Sequence, residues 1–404
     1  MKKRGLALFL AMAMSLTACG GGAASESSTS QVAEGSSSQT AESSTAQEEG
    51  AGEKVRIGGL GPMTGALATY GVSSMNGAKL AFSEINEAGG IAGKPVEFLL
   101  EDEKGDPTEA VNAFNKLMDE GMVALLGNIT SGAANVTAQE TQSSGLPMLT
   151  PTGTQFNITE GRSNVFRACY TDPFQGLILA QFAKNDLSAK TAAVLVNSGS
   201  DYSDGVAQAF VKEAGDIGLE VVANESYGDA DNDMTAQLTS IAAKNPDVLL
   251  VPDYYEKDAL ILQQAKEVGF KGTILGADGW DGVLQLLGND ANIADGVYFT
   301  NHYSPDSTDE KVQNFVQKYR DTYGEEPTAF SALSYDAAYM LKQAIEEAGS
   351  TDAQKVVDAM KKLDFTGVTG HLQFDENNNP VKGVALTKIE GGKYTFFKTV
   401  ESTK

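Results

Sequence analysis

Leu149-Thr150-Pro151-Thr152-Gly153-Thr154 runs out of an apolar lead-in into two hydroxyls around a glycine, with no metal ligand or catalytic base beside them. Residues of these types can hold a ligand but cannot by themselves react with one. Thr154 offers a hydroxyl and Thr152 a carbonyl, and Gly153 permits close backbone approach. A second cluster, Gly127-Asn128-Ile129-Thr130-Ser131-Gly132, falls between an apolar run and a helical pattern. Backbone N–H groups there, with the Ser131 hydroxyl, would face an anion at the positive end of the helix. Asp278, in Gly276-Ala277-Asp278-Gly279-Trp280, adds a carboxylate suited to an ammonium. Neutral donors for one end and an acid for the other outline an α-amino acid. Taken alone, the threonines read equally well as a turn at a strand end.

Other chemistries find less support. Gly59-Leu60-Gly61-Pro62-Met63-Thr64-Gly65 follows a strand, but its third glycine comes one place late for a dinucleotide loop and Pro62 interrupts it. The helix after it is expected to begin only past Gly71. The two histidines, His302 and His371, lie far apart and are expected as loop or strand residues, so no metal site is expected. Asp229-Ala230-Asp231-Asn232-Asp233 opens like a calcium loop, but Met234 and Ser240 stand where glycine and glutamate are needed. No serine sits in a nucleophile elbow. A hydrolase using Asp253 or Asp278 would lack a paired base or metal, so neither catalysis nor a cofactor is expected.

The elements that must position these groups alternate. Apolar runs at 55–59, 96–100, 122–127, 192–196, 248–253 and 273–278 precede helical patterns, among them 75–90, 107–121, 234–245 and 257–269. Strand–helix alternation over this length predicts α/β architecture with two parallel-sheet lobes. Val384 to Val400 alternates with period two around Gly391-Gly392 and predicts a hairpin. In open α/β sheets the ligand site lies beyond the carboxyl ends of the strands, and the clusters above fall there.

The ends and the composition set further bounds. Lys2, Lys3 and Arg4 precede an apolar run that closes on Leu16-Thr17-Ala18-Cys19. This resembles the lipobox of bacterial lipoproteins, which implies a signal peptide over 1–18, lipid on Cys19 and anchorage outside the cytoplasm. Residues 19–53 are Ser, Ala, Thr, Gln, Glu and Gly with almost nothing to bury, a tether by composition. The 404 residues carry a formal charge of −24, more negative once the leader is removed. Such a surface repels nucleic acid, which is not expected as a partner. With Cys19 lipidated, only Cys169 remains of the two cysteines, so it is expected in the core rather than in a disulfide.

Ile85-Asn86-Glu87-Ala88-Gly89-Gly90-Ile91-Ala92-Gly93-Lys94-Pro95-Val96-Glu97 resembles a stretch of the periplasmic leucine/isoleucine/valine-binding proteins. So do Thr69-Tyr70-Gly71, Asp106-Pro107, Thr150-Pro151 and Ala277-Asp278-Gly279, and the likeness runs from about Val55 to the C-terminal hairpin. The resemblance implies a type I periplasmic-binding-protein fold, with lobes at 54–171 plus 302–384 and at 172–301 plus 385–404. Three hinge crossovers are implied near Tyr170–Pro173, Thr300–Tyr303 and Lys382–Val384. It also implies that Ser131 and Thr154 hold a ligand carboxylate, and that the Thr152 carbonyl, the Thr154 hydroxyl and Asp278 hold its ammonium. Tyr70, Tyr202, Tyr254 and Phe330 would shape the side-chain pocket. Leucine binders of that family usually carry glutamate where this chain has Asp278. Trp280 follows closely and is placed among the candidate pocket residues. The implied role is that of a monomeric solute-binding lipoprotein of an ABC importer, delivering a branched-chain or related amino acid to permease subunits. A sensor lobe acting with a signalling partner, or a binder of another small amide or carboxylate, are the alternatives.

Overall fold

The computed structural model describes residues 54–400. The leader, Cys19, the tether and residues 401–404 lie outside the described residues. The first half is built from β1 (Val55–Gly61), α1 (Ala68–Glu87), β2 (Val96–Asp102), α2 (Pro107–Asp119), β3 (Ala124–Gly127), α3 (Ser131–Ser144), β4 (Met148–Thr150) and β5 (Val165–Arg167). Then come α4 (Asp172–Asn185), β6 (Thr191–Asn197), α5 (Asp201–Ile217), β7 (Glu220–Tyr227) and α6 (Thr235–Lys244). The second half continues through β8 (Val248–Val251), α7 (Tyr255–Glu267), β9 (Thr273–Gly276), α8 (Val283–Leu287) and β10 (Tyr298–Asn301). Next, α9 (Glu310–Tyr323), α10 (Ala329–Ala348), α11 (Ala353–Met360), β11 (Asp364–Gly367) and β12 (Gly370–Gln373) return to the first half. The chain ends in the second with β13 (Val384–Glu390) and β14 (Lys393–Val400).

Two sheets result. The first has the order β2-β1-β3-β4-β5 and is parallel throughout. The second has the order β14-β13-β10-β9-β8-β6-β7, parallel from β10 to β7, with β13 antiparallel to both β10 and β14. Period-two alternation sends successive residues to opposite faces. Leu126 and Leu149 join a core with Met75 and Ala78 of α1, while Leu125 and Met148 join another with Phe114 and Leu117 of α2. In the second sheet, Leu249 and Val251 meet Leu238 and Leu262, while Val248 and Leu250 meet Phe182 and Phe210. Both faces of each sheet are therefore covered, which is why the strands read as unbroken apolar runs.

Three strands of the two large sheets, and the short pair β11 and β12, were not legible as apolar runs. β5 and β10 are three and four residues long, and β7 lies at a sheet edge with a mostly half-exposed, polar sequence. The start of α1 also differs from expectation, at Ala68 rather than beyond Gly71. Gly71 does not mark a boundary. It lies inside the helix, where an added Cβ would collide with the Pro62 backbone. Its lack of a side chain lets α1 sit on the β1 loop and brings Tyr70 toward the other half.

Gly77 has the same role on another face of the helix, where α1 crosses α10 and an added Cβ would strike the Ser331 carbonyl. Backbone cannot retreat as a side-chain tip can. Gly77→Ala is expected to lower stability by about 1–3 kcal/mol in urea unfolding, with the slope on denaturant unchanged.

Candidate ligand-binding site

The carboxyl ends of β3, β4 and β9 converge with the start of α4 where the two halves meet. Ser131 is the first residue of α3, and its Oγ accepts the Gln155 N–H at 3.3 Å. The Tyr254 hydroxyl faces the Ser131 backbone N–H. In the loop after β4, Thr150 Oγ1 donates to the Asn128 carbonyl and Thr152 Oγ1 to the Ile129 carbonyl, each at 2.6 Å. These two hydroxyls lash β4 to the β3 loop, so Thr152 has only its carbonyl free for the cleft. Thr154 is buried, and its carbonyl accepts the Asp172 N–H at 3.0 Å.

Arg167, at the end of β5, gave no sign of a role in the sequence. Fully buried, it donates to the Gly153, Gln155 and Phe156 carbonyls at 2.8–3.2 Å and to Thr159 Oγ1 at 3.1 Å. One guanidinium thus fixes the whole threonine–glycine loop.

The acids form the other wall. Asp278 is 3% exposed. Its Oδ1 accepts from Tyr202 Oη at 2.9 Å and Gln175 Nε2 at 3.0 Å, and its Oδ2 lies 3.0 Å from His302 Nε2. His302 follows directly on β10, in a loop as expected, and from there its ring reaches the acid. Burial pushes this imidazole below its ordinary value, against the pull of Asp278. A neutral ring then donates from Nε2, leaving Nδ1 without a partner.

A second acid stands beside the first. Asp172, in the first turn of α4, is 1% exposed, and its Oδ1 accepts from the same Gln175 amide at 2.9 Å. The Thr154 hydroxyl faces this carboxyl without closing a hydrogen bond on Oδ2, which has no partner. Burial pushes Asp172 up to about 8, the Asp278 charge adding to the effect and Thr154, Gln175 and Arg167 opposing it.

Aromatic rings complete the enclosure. Tyr70 stacks on Phe330 with centroids 4.2 Å apart, and Tyr202 stacks on Tyr254 at 4.9 Å. Tyr70 meets Tyr254 edge-on at 5.7 Å. The Tyr70 hydroxyl donates to the Gly279 carbonyl and accepts the Tyr255 N–H at 3.0 Å, so α1 of one half is tied to the other.

Trp280 does not join this group. Its indole lies over Gly276, and Nε1 donates to the Val251 carbonyl at 2.7 Å, with the residue fully buried in the core. Its placement in the pocket is corrected accordingly: the ring turns back onto β8 and β9. Asp253, the other acid considered for catalysis, is likewise consumed internally, by Tyr227, Asn197 and the Tyr254 N–H.

This arrangement presents amide and hydroxyl donors on one side and two buried acids on the other, with rings between. A family model for periplasmic binding proteins matches residues 54–393. The Leu/Ile/Val-binding protein BraC3 of Rhizobium johnstonii is 32% identical over 345 residues, which are 84% of this chain and 92% of that protein. A leucine-binding protein of Thermotoga maritima, LivK, is 34% identical with a TM-score of 0.81, over 86% of this chain and 99% of that one. LivJ of Streptococcus pneumoniae, a branched-chain amino acid transporter substrate-binding protein solved with isoleucine, is 32% identical. Its TM-score is also 0.81, over 87% of this chain and 100% of that one. The chain belongs to the periplasmic binding protein family, and its two parallel-sheet halves take the type I form of that fold.

Because Trp280 supports β8 rather than the cleft, Trp280→Phe separates stability from binding. Loss of its hydrogen bond leaves the Val251 carbonyl unsatisfied, at a cost of about 1–3 kcal/mol of stability. Ligand affinity measured on the folded variant is expected to stay within about twofold.

Proposed function

We propose that this protein is an extracytoplasmic solute receptor of an ABC importer, capturing a branched-chain or related amino acid between its halves for delivery to a permease. Lipid on Cys19 would hold it at the membrane. The observation that carries the ligand class is the unpartnered, buried Asp172 Oδ2 beside Asp278. Two carboxyls bridged by one amide in a dry site call for a cation. An α-ammonium placed there hydrogen-bonds Asp172, with Thr154 and the Thr152 carbonyl completing its shell. The α-carboxylate then reaches the start of α3, where the Ser131 N–H and hydroxyl receive it once Tyr254 moves aside. Tyr70, Phe330, Tyr202 and Tyr254 offer ring surface to an aliphatic side chain. The relatives support the same class: BraC3 is named for leucine, isoleucine and valine, and the LivJ structure holds isoleucine. The reading is one of capture and release, with no bond made or broken.

Isothermal titration against the twenty amino acids tests the class. Leucine, isoleucine and valine are expected to bind at roughly micromolar or tighter, and silence across the aliphatic amino acids would reject it. Asp278→Asn is expected to weaken leucine by about 2–5 kcal/mol, since it removes one of the two charges facing the ammonium.

The pH dependence follows from Asp172. Without ligand the carboxyl is held protonated below about 8. Pairing with an ammonium requires the carboxylate, so binding near neutral pH expels a proton. Affinity is therefore full above about 8 and falls as the pH drops below it, by up to about tenfold per unit. Asp278 and Arg167 are the charged groups that face this carboxyl. Asp172→Asn is expected to bind more weakly and to lose the slope, and titrations in buffers of different ionisation enthalpy count the released proton.

A further inference from the structure

A cavity of about 1050 Å³ lies beside the cleft, between α1, the α9–α10 connection, α8 and the β13–β14 hairpin. None of Ser131, Thr154, Asp172, Asp278, Tyr70 or Phe330 lines it, so it is not the site described above. We propose that it is a second ligand site, taking a small organic cation with an apolar body.

Asp281 is among the residues that line it. The residue is 3% exposed, and its Oδ2 accepts the Ala329 N–H at 2.6 Å and approaches Asn301 Nδ2 at 3.5 Å. Its Oδ1 receives no hydrogen bond, and no lysine or arginine among the described residues pairs with the carboxylate. Burial pushes it up to about 6, so near neutral pH it is ionised and without a counter-charge. Oδ1 is open to the cavity, where a cation that reached it would supply the missing counter-charge. The lining as a whole carries four acids, Asp281, Asp306, Glu325 and Glu326, against Arg320 and Lys393. Arg320 is already held by both oxygens of Glu326, at 2.7 and 2.6 Å. The field around Asp281 therefore favours a positive group.

The walls ask for something apolar. Val72 and Phe396 are among the few large hydrophobic side chains left exposed, at 37% and 45%, and both line this cavity with Leu284. An ammonium on a short hydrocarbon or aromatic body satisfies acid and walls together. The occupant would touch α1 on one half and the hairpin on the other. It would thereby favour the closed arrangement and, by linkage, tighten ligand binding in the main cleft.

Titration of the protein with 2-phenylethylamine tests this, with 2-phenylethanol as the uncharged analogue. The experiment is run with and without leucine and in Asp278→Asn, so that it does not depend on what the main cleft binds. The amine is expected to bind in all three settings, at least about tenfold tighter than the alcohol. Asp281→Asn, which keeps the shape and a carbonyl acceptor for Ala329, is expected to weaken the amine by about tenfold or more. Phe396→Ala, at an exposed position that leaves folding intact, should weaken it several-fold and keeps the test decisive if Asp281→Asn does not fold. No binding up to about 10 mM amine would overturn the proposal. So would equal binding of the alcohol, loss of the amine in Asp278→Asn or on adding leucine, or indifference to both cavity substitutions.

Discussion

Two carboxyls share one amide. Gln175 Nε2 reaches Asp172 at 2.9 Å and Asp278 at 3.0 Å, in a region with almost no solvent. Like charges this close in a poorly polarisable interior do not both ionise without a cation nearby. The fold partly compensates Asp278, through Tyr202 and His302, and places Asp172 in the first turn of a helix, where the peptide dipoles favour an anion. Asp172 Oδ2 is left over. The rest of the cleft can be understood as the means of bringing a positive group to that atom and covering it.

Covering depends on residues remote from the acids. Arg167 holds the threonine–glycine loop in one shape, so the Thr152 and Thr154 groups come pre-set rather than ordered by the ligand. Gly71 lets α1 approach the β1 loop, and Tyr70 on that helix reaches the Gly279 carbonyl and the Tyr255 N–H across the gap. Tyr254 rests with its hydroxyl toward the Ser131 amide, the position in which a ligand carboxylate would be received. On the proposed reading, ligand entry would be coupled to the movement of one ring and to the approach of the halves.

Much of this was legible in the sequence because parallel strands covered on both faces leave apolar runs. The runs located the strand ends, and the strand ends located Ser131, Thr154 and Asp278. What escaped has physical reasons. β10 is four residues long with two polar members, so no run marked it and nothing placed His302, just past its end, beside Asp278. Asp172-Pro173 looks locally like Asp106-Pro107. Yet Asp106 is an exposed cap accepting the Thr108 and Glu109 N–H groups, while Asp172 sits one step inside its helix and is buried against Gly205 and Gln175. Only tertiary packing separates the two. Trp280 looked like a pocket residue from its nearness to Asp278, although Gly276, four places earlier, leaves room for an indole over the strand. Arg167 carried no signal, since a lone arginine at a strand end is usually solvated.

A crystal structure grown with leucine would decide whether the paired acids receive the ligand's positive end. The ligand nitrogen is expected within hydrogen-bond distance of Asp172 Oδ2 and the Thr154 hydroxyl. The ligand carboxylate should lie on the Ser131 N–H, with the Tyr254 hydroxyl displaced from it. A ligand lying the other way round, or one whose nitrogen is remote from both acids, would contradict this placement.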